Sequence, residues 1–436
     1  FSSKSYAQER ILTIDSCKVL AVQNNRKIKD AEFDVKSSSE IKKNAHTNYF
    51  PKISATALSM KSADYLIKGS IPSMNLPVYD GNIGNLASAT QFAYTPAIPI
   101  KALDYISMAS ITVAQPIFTG GRIVNGNKLA KIGQKVSQEK KLLTTTEVLV
   151  KTEELYWTII ALQGKLKTLS SFDKLLNQLL SDVTVSLKAG LIQRSDLLKV
   201  QLKMNELEIN RLKLENGIDL SKRALCQHIG IAYDSTLVLV QPLTPTKLQQ
   251  ESSEASITIA KNRHEYQLLS KAVDAEKLQK KMVLGELLPQ VSIGALGYTN
   301  DVMNTKSSNA LAFVSVSVPI SDWWGGSHKL KETQFKIEQA NNKLVETTEL
   351  LSLQIEQAKN AYTEEYFQIS IAQKSVDQAR ENMRVTNDNY KAGVSNMSDL
   401  LEAQSAFQGA EDSLIEARCN YQIKKVKYLQ SINVYK

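Results

Sequence analysis

The chain has 436 residues, a formal net charge of +9 and three cysteines. Glycine and proline together number only 28, roughly half the usual share, so long helices must dominate. Cys17, Cys226 and Cys419 lie far apart with no CxxC pair, which excludes a disulfide framework or zinc ribbon. A charged fraction of 22% excludes wholesale disorder. No run of about 18 apolar residues is present, so no spanning helix is expected. Lys and Arg alternate with Glu along the predicted helices, the mark of a solvated face and not of a nucleic-acid partner.

At the N-terminus, Ser5-Tyr6-Ala7 places small residues as at the end of a secretory signal; the alternative is a short leader over residues 1–10. Asp15-Ser16-Cys17 lacks the small apolar residues that precede a lipidated cysteine, so Cys17 reads as a buried helix residue.

The sequence beyond is a duplication. Lys188-Ala189-Gly190 matches Lys391-Ala392-Gly393, Ser195-Asp196-Leu197-Leu198 matches Ser398-Asp399-Leu400-Leu401, and Pro116 matches Pro319, all at a spacing of 203. Pro51-Lys52-Ile53-Ser54 resembles Pro289-Gln290-Val291-Ser292 at 238, so the first copy carries 35 extra residues between its two prolines. The copies span residues 11–242 and 243–436. Each reads helix, proline, strand, loop, strand, proline, long helix, glycine turn, long helix. Strands are expected at about 51–68, 104–117, 289–299 and 310–320, where apolar and small polar residues alternate with the period of a half-exposed or membrane-barrel strand.

Helices are expected at about 122–188, 195–230, 327–391 and 398–432. The first would run about 100 Å, which demands an elongated molecule unless Gly126, Gly133 or Gly164 breaks it. On the return helix, Leu197, Val200, Met204, Leu207, Leu214, Ile218 and Leu225 form a coiled-coil stripe, and Leu198, Leu202, Ile209 and Leu212 form a second beside it. Two stripes call for two neighbouring helices, as in a sheet or tube of helices. Gly120-Gly121 and Gly325-Gly326 are expected at strand-to-helix corners. Tyr49, Phe50, Phe118, Trp323 and Trp324 fall at one end of the strands, as an interfacial aromatic girdle would. Residues 69–102, rich in proline and aromatics, are expected to fold over the mouth of a barrel and narrow it. Four strands cannot close a membrane barrel, so several chains must share one; three chains supply twelve strands.

With these repeats, Tyr390-Lys-Ala-Gly393-Val-Ser-Asn-Met-Ser-Asp399-Leu-Leu-Glu402 and Leu187-Lys-Ala-Gly190-Leu-Ile-Gln-Arg-Ser-Asp196-Leu, together with Leu12 to Asn25 and Leu288-Pro289-Gln290, the chain resembles the TolC family of outer-membrane efflux channels. The resemblance implies a homotrimer in the Gram-negative outer membrane and its lipid. A twelve-stranded barrel would continue as a twelve-helix tunnel through the periplasm. It would work with a periplasmic adaptor and an inner-membrane transporter of the RND or ABC class, without enzymatic activity, cofactor or nucleic acid.

It also implies docking tips at Gly190, Ser195, Leu197, Gly393, Ser398 and Leu400, an entrance constriction at Asp399 and Glu402, and an entrance latch using Tyr390 and Asp196. The arginine expected two residues after the second tip glycine is Ser395 here, and Arg194 is the substitute on the other tip. Ser195, Asp196, Ser398 and Asp399 also suit helix N-caps. A periplasmic coiled-coil adaptor or scaffold is the alternative reading; it predicts one hairpin, or no strand alternation. His46, His228, His264 and His328 show no metal spacing.

Overall fold

The computed structural model describes residues 11–240, 255–302 and 305–435; the signal or leader reading at residues 1–10 lies outside them. The chain divides into two units. One comprises residues up to Ile41, Lys131–Glu276 and Phe335–Lys436; the other comprises Lys42–Ala130 and Lys277–Gln334.

The first unit is helical. A short parallel pair, β1 (Ile11–Leu12) with β8 (Val238–Leu239), joins its N-terminal segment to the end of the first repeat. Helix α1 (Ile14–Asn24) starts at a Thr13 cap whose hydroxyl takes the Ser16 amide while Ser16 returns the bond to Thr13, so two orphan donors are satisfied reciprocally. Helix α2 (Arg26–Thr47) follows. The long elements are α3 (Arg122–Lys188) with α4 (Arg194–Ile229), and α7 (Asp322–Lys391) with α8 (Met397–Ser431); α5 (Ser256–Lys261) and α6 (His264–Glu286) lead into the second repeat. None of the three glycines interrupts α3. Gly164 instead lets α8 come close: a Cβ there would sit 2.8 Å from Ile415.

One core gathers Cys17, Tyr156, Trp157, Ile159, Leu225 and Ile229. Beside it the buried Glu153 carboxylate pairs with Lys18 and accepts from Trp157 Nε1 and the Tyr435 hydroxyl. A buried charge persists only when its lone pairs are filled in this way. Burial and the Glu153 charge together raise the Tyr435 phenol above its ordinary range.

The second core joins all four long helices through Phe172, Leu176 and Val183 of α3, Val200 and Leu207 of α4, Val376 of α7, and Met397 and Phe407 of α8. The first predicted stripe of α4 is the buried one. The second, Leu198, Leu202, Ile209 and Leu212, is 48–68% exposed, and α7 likewise presents Leu353, Phe367 and Ile371 at 59–65%. A single chain therefore leaves apolar helix faces without partners.

The second unit holds a four-stranded antiparallel sheet in the order β10-β9-β7-β2, with β2 (Lys52–Lys61), β7 (Tyr105–Phe118), β9 (Gln290–Val302) and β10 (Thr305–Ser317). Strands β7 and β9 join the two repeats. Among the described residues the edge strands β2 and β10 have no outer neighbour.

The 35-residue surplus forms a nested continuation of the first hairpin. Strand β3 (Ile67–Ile71) pairs with β6 (Ile98–Ala102), β4 (Met74–Pro77) pairs with β5 (Phe92–Thr95), and a 3-10 turn over Ile83–Ser88 lies between. The expected strand 51–68 therefore ends at Lys61, where the chain bends and resumes. The second hairpin is longer than expected on its inner side, reaching Val302 and Thr305.

The glycine corners differ between the repeats. Gly120 and Gly121 turn the chain with φ of +63° and +77°, and a Cβ on Gly120 would lie 2.2 Å from the Gly285 carbonyl. In the second repeat, Gly325 and Gly326 are not the corner: α7 begins at Asp322, and they are its fourth and fifth residues. The reversal is made by Pro319–Ser321, where the Asp322 and Trp323 amides donate to the Pro319 and Ile320 carbonyls at 3.2 Å. Asp322 then meets the positive end of the helix dipole.

Candidate functional site: the helix-hairpin tips and the strand sheet

The two tips end in the same way. Gly190 (φ +75°) and Gly393 (φ +73°) occupy the left-handed position after α3 and α7. Leu191 N donates to Ser186 O at 2.9 Å and Gly190 N to Leu187 O at 3.0 Å; Val394 N donates to Asn389 O at 2.8 Å and Gly393 N to Tyr390 O at 3.0 Å. This is the Schellman arrangement, which satisfies the last helical carbonyls and needs glycine for its positive φ.

The returning helices start one residue earlier than expected, so Ser195 and Ser398 are not the caps. Helix α4 follows Gln193, which makes no side-chain cap bond. Helix α8 follows Asn396, whose side chain accepts from Asp399 N at 3.0 Å, while Asp399 Oδ2 accepts from Asn396 N at 3.3 Å. Asp399 thus closes a capping box from the third helical position.

The hairpins enclose a cavity of about 580 Å³ lined by Asp182, Val183, Asp196, Tyr390, Ser395 and Met397, among others. Three of the four residues expected to form a latch therefore share one pocket. Burial, then the charges of Asp196 and Asp182, raise the Tyr390 phenol above its ordinary range. Asp196 pairs with Lys199 at 3.3 Å, a cation from its own helix. Arg194 is exposed and absent from the lining, as are Asp399 and Glu402. The last two are exposed on one side of α8, three residues apart.

Leu400 is placed differently from the expectation. It is 1% exposed, because it lies three residues after the buried Met397 on the core face; Leu197 is half-buried. The apolar residues that the tips do present are Leu191 and Val394, each 78% exposed and each directly after its turn glycine. The 203-residue spacing pairs these two as well, and an apolar residue after a turn glycine is the signal that could have found them.

In the sheet unit, Tyr49, Phe50, Phe118, Trp323 and Trp324 are 40–82% exposed and gather at the end where the helices start. Trp323 Nε1 donates to Leu287 O at 2.8 Å, which orients its ring. No helix among the described residues is long and apolar enough to cross a membrane. Among the described residues no His/Cys/Asp/Glu group could hold a metal ion.

Residues 254–433 match the family model described as outer membrane efflux protein. That match covers the second repeat, less than half of the chain. The solved structures agree in fold. The outer membrane protein VceC from Vibrio cholerae superposes with a TM-score of 0.75 at 11% identity, covering 96% of this chain and 95% of its own. The CmeC outer membrane channel of Campylobacter jejuni gives 0.76 at 14% identity, covering 97% and 86%. The open state of the MtrE outer membrane channel of Neisseria gonorrhoeae gives 0.75 at 12% identity, covering 96% and 88%. No curated protein sequence matches the chain.

Proposed function

We propose that this chain is an outer-membrane efflux channel reaching into the periplasm, a homotrimer whose three sheets close one twelve-stranded barrel and whose long helices form a twelve-helix tunnel. The observation that carries this reading is the open sheet. Among the described residues both edge strands, β2 and β10, lack an outer neighbour, yet next to the helix starts one face of the sheet is apolar. An unpaired edge is not tolerated in lipid, so other copies must pair with it. The unpartnered apolar faces of α4 and α7 support the same conclusion for the tunnel.

In this trimer Asp399 and Glu402 of three chains ring the periplasmic entrance and favour cations. The pocket of Asp196, Tyr390 and Ser395 holds the entrance shut, with Lys199 serving the charge that an arginine at position 395 would have served. A periplasmic adaptor docks on the tips at Gly190, Leu191, Ser195, Gly393, Val394 and Ser398, with Leu197 and Leu400 bracing them from the core. An inner-membrane transporter of the RND or ABC class loads the tunnel. The aromatic cluster marks the inner boundary of the lipid.

The test is the mass of the protein extracted from an outer-membrane fraction in mild detergent. A protein mass near three times 48.4 kDa is expected. A monomer that stays soluble without detergent would overturn the shared barrel.

A further inference from the structure

The two faces of the sheet exchange character part-way along the strands. Next to the helix starts, one face carries Ile53, Ala55 and Ala57 opposite Val113, Ile111 and Ala109. The other carries Ser54 and Thr56 opposite Thr112 and Ser110, with a 2.8 Å hydroxyl bond between Thr56 and Ser110. A membrane barrel turns its apolar face to lipid and its polar face to the lumen. Beyond Ala57 the order reverses. The lipid-side face becomes Ser59 and Lys61 opposite Ser107 and Tyr105, and Asp301 opposite Lys306. The lumen-side face becomes Leu58 and Met60 opposite Met108 and Ile106, and Leu296 opposite Leu311.

The height of this exchange is consistent around the sheet. Leu296 registers with Thr112, and so with Ser54, four residues nearer the helix end than Leu58. The apolar lipid-side band drifts the same way, from Ile53–Ala57 on β2 to Ala310–Val316 on β10. Barrel strands tilt, so residues at one height shift along successive strands. A common drift on both faces makes each a level layer. The lumen therefore carries an apolar ring at the height where the outside turns polar and the barrel leaves the lipid.

Directly beyond this ring stands the β3–β6 ribbon. Backbone bonds from Ser62 to Asp104 (2.7 Å) and Leu66 to Leu103 (3.2 Å) tie it to the hairpin below. One face holds Ile67, Ile71, Ile98 and Ile100; the other holds Lys68 opposite Lys101. A two-stranded ribbon is marginal in water unless its apolar face is covered. In the single chain both apolar surfaces are open: Ile67, Ile71, Ile98 and Ile100 are 40–52% exposed, and Leu58, Met60 and Met108 are 42–57% exposed. In the second hairpin Val302 pairs with Thr305, and among the described residues it carries no such ribbon, so each chain offers one ring segment and one cover.

Resting on the trimeric-barrel reading, we infer that the apolar face of each ribbon packs onto the apolar ring segment of a neighbouring copy, closing the outer mouth with a hydrophobic plug that cargo must displace. The segment carries only Asp64, Lys68, Asp80, Lys101 and Asp104 as charges, so three copies meet there without strong repulsion. Hydrophobic constrictions of this kind resist water and ions and yield to apolar or amphiphilic cargo, which replaces the contacts it breaks.

The experiment uses the full-length trimer. Thr112→Cys places a thiol in the lumen below the ring, and the three native cysteines are buried. A bulky cationic thiol reagent is added outside intact cells. Leu58→Ser with Met108→Ser, or Ile71→Ser with Ile98→Ser, is expected to raise the labelling rate at least tenfold, and the four substitutions together no further. In a separate protein, Leu58→Cys with Ile71→Cys is expected to cross-link different chains. Fast labelling without ring or ribbon changes, or rates that multiply when the pairs are combined, would overturn the plug. Cross-links only within one chain would overturn the neighbour's role. Detergent mass checks the trimer itself, so a failed barrel reading and a failed plug give different results.

Discussion

Asp399 carries two roles that one substitution series separates. Its carboxylate closes the cap of α8 through Asn396 N, and its exposed side belongs to the proposed entrance ring. Asp399→Asn keeps an acceptor oxygen at the cap but removes the charge, while Asp399→Ala removes both. Losing one cap bond costs about 1 kcal/mol, which is roughly fivefold in a local opening equilibrium at RT near 0.59 kcal/mol. Amide exchange over residues 394–400 in Asp399→Ala should therefore run about fivefold faster, and in Asp399→Asn less than twofold faster. Single-channel reversal potentials under a salt gradient should lose cation preference equally in both, because three of six carboxylates are gone. Equal exchange in the two variants would refute the capping argument. Unchanged selectivity in both would refute the ring.

Asp412 Oδ1 is buried without a hydrogen-bond partner, and burial, opposed by Lys165, pushes its carboxyl up to about 6. A folded-state value above the unfolded one means stability is lost as pH rises through the window from about 4 to 6. Asp412→Asn should match the wild type at pH 4 and exceed it by about 1–2 kcal/mol at pH 7.5, read from denaturant midpoints; a difference that grows toward acid would contradict this. Gly120→Ala should prevent trimer accumulation, since its Cβ meets the Gly285 carbonyl at 2.2 Å with φ at +63°; normal yield would show that the corner can relax. Gly190→Ala meets no atom within 4 Å and carries only the strain of φ +75°, so it should cost about 1–2 kcal/mol and leave the trimer intact by detergent mass. Leu202→Ser with Ile209→Ser should weaken the trimer while preserving helicity by circular dichroism, because both residues lie on the uncovered face of α4; an unaffected trimer would place that face elsewhere.

The sequence by itself determined the elements and their order. The proline-free stretches required α3 and α7 to be long, the 203-residue spacing tied one hairpin tip to the other, and period-two alternation located the four sheet strands. These are local properties, set by backbone geometry and by which face of an element must be buried. The second stripe of α4 even announced a neighbour that the single chain does not supply.

Only the tertiary structure decided the rest. Asn396 outranked Ser398 as the cap because the helix start is fixed by where the Gly393 turn releases the chain. Leu400 faces the core and Val394 faces out because the turn sets the rotation of α8, which no linear spacing specifies. Asp196, Tyr390 and Ser395 meet across two hairpins that are about 200 residues apart in sequence. The apolar ring inside the barrel rests on the β7–β9 register, which sets Leu296 against Thr112. Register is a property of paired strands, and alternation within any one of them cannot reveal it.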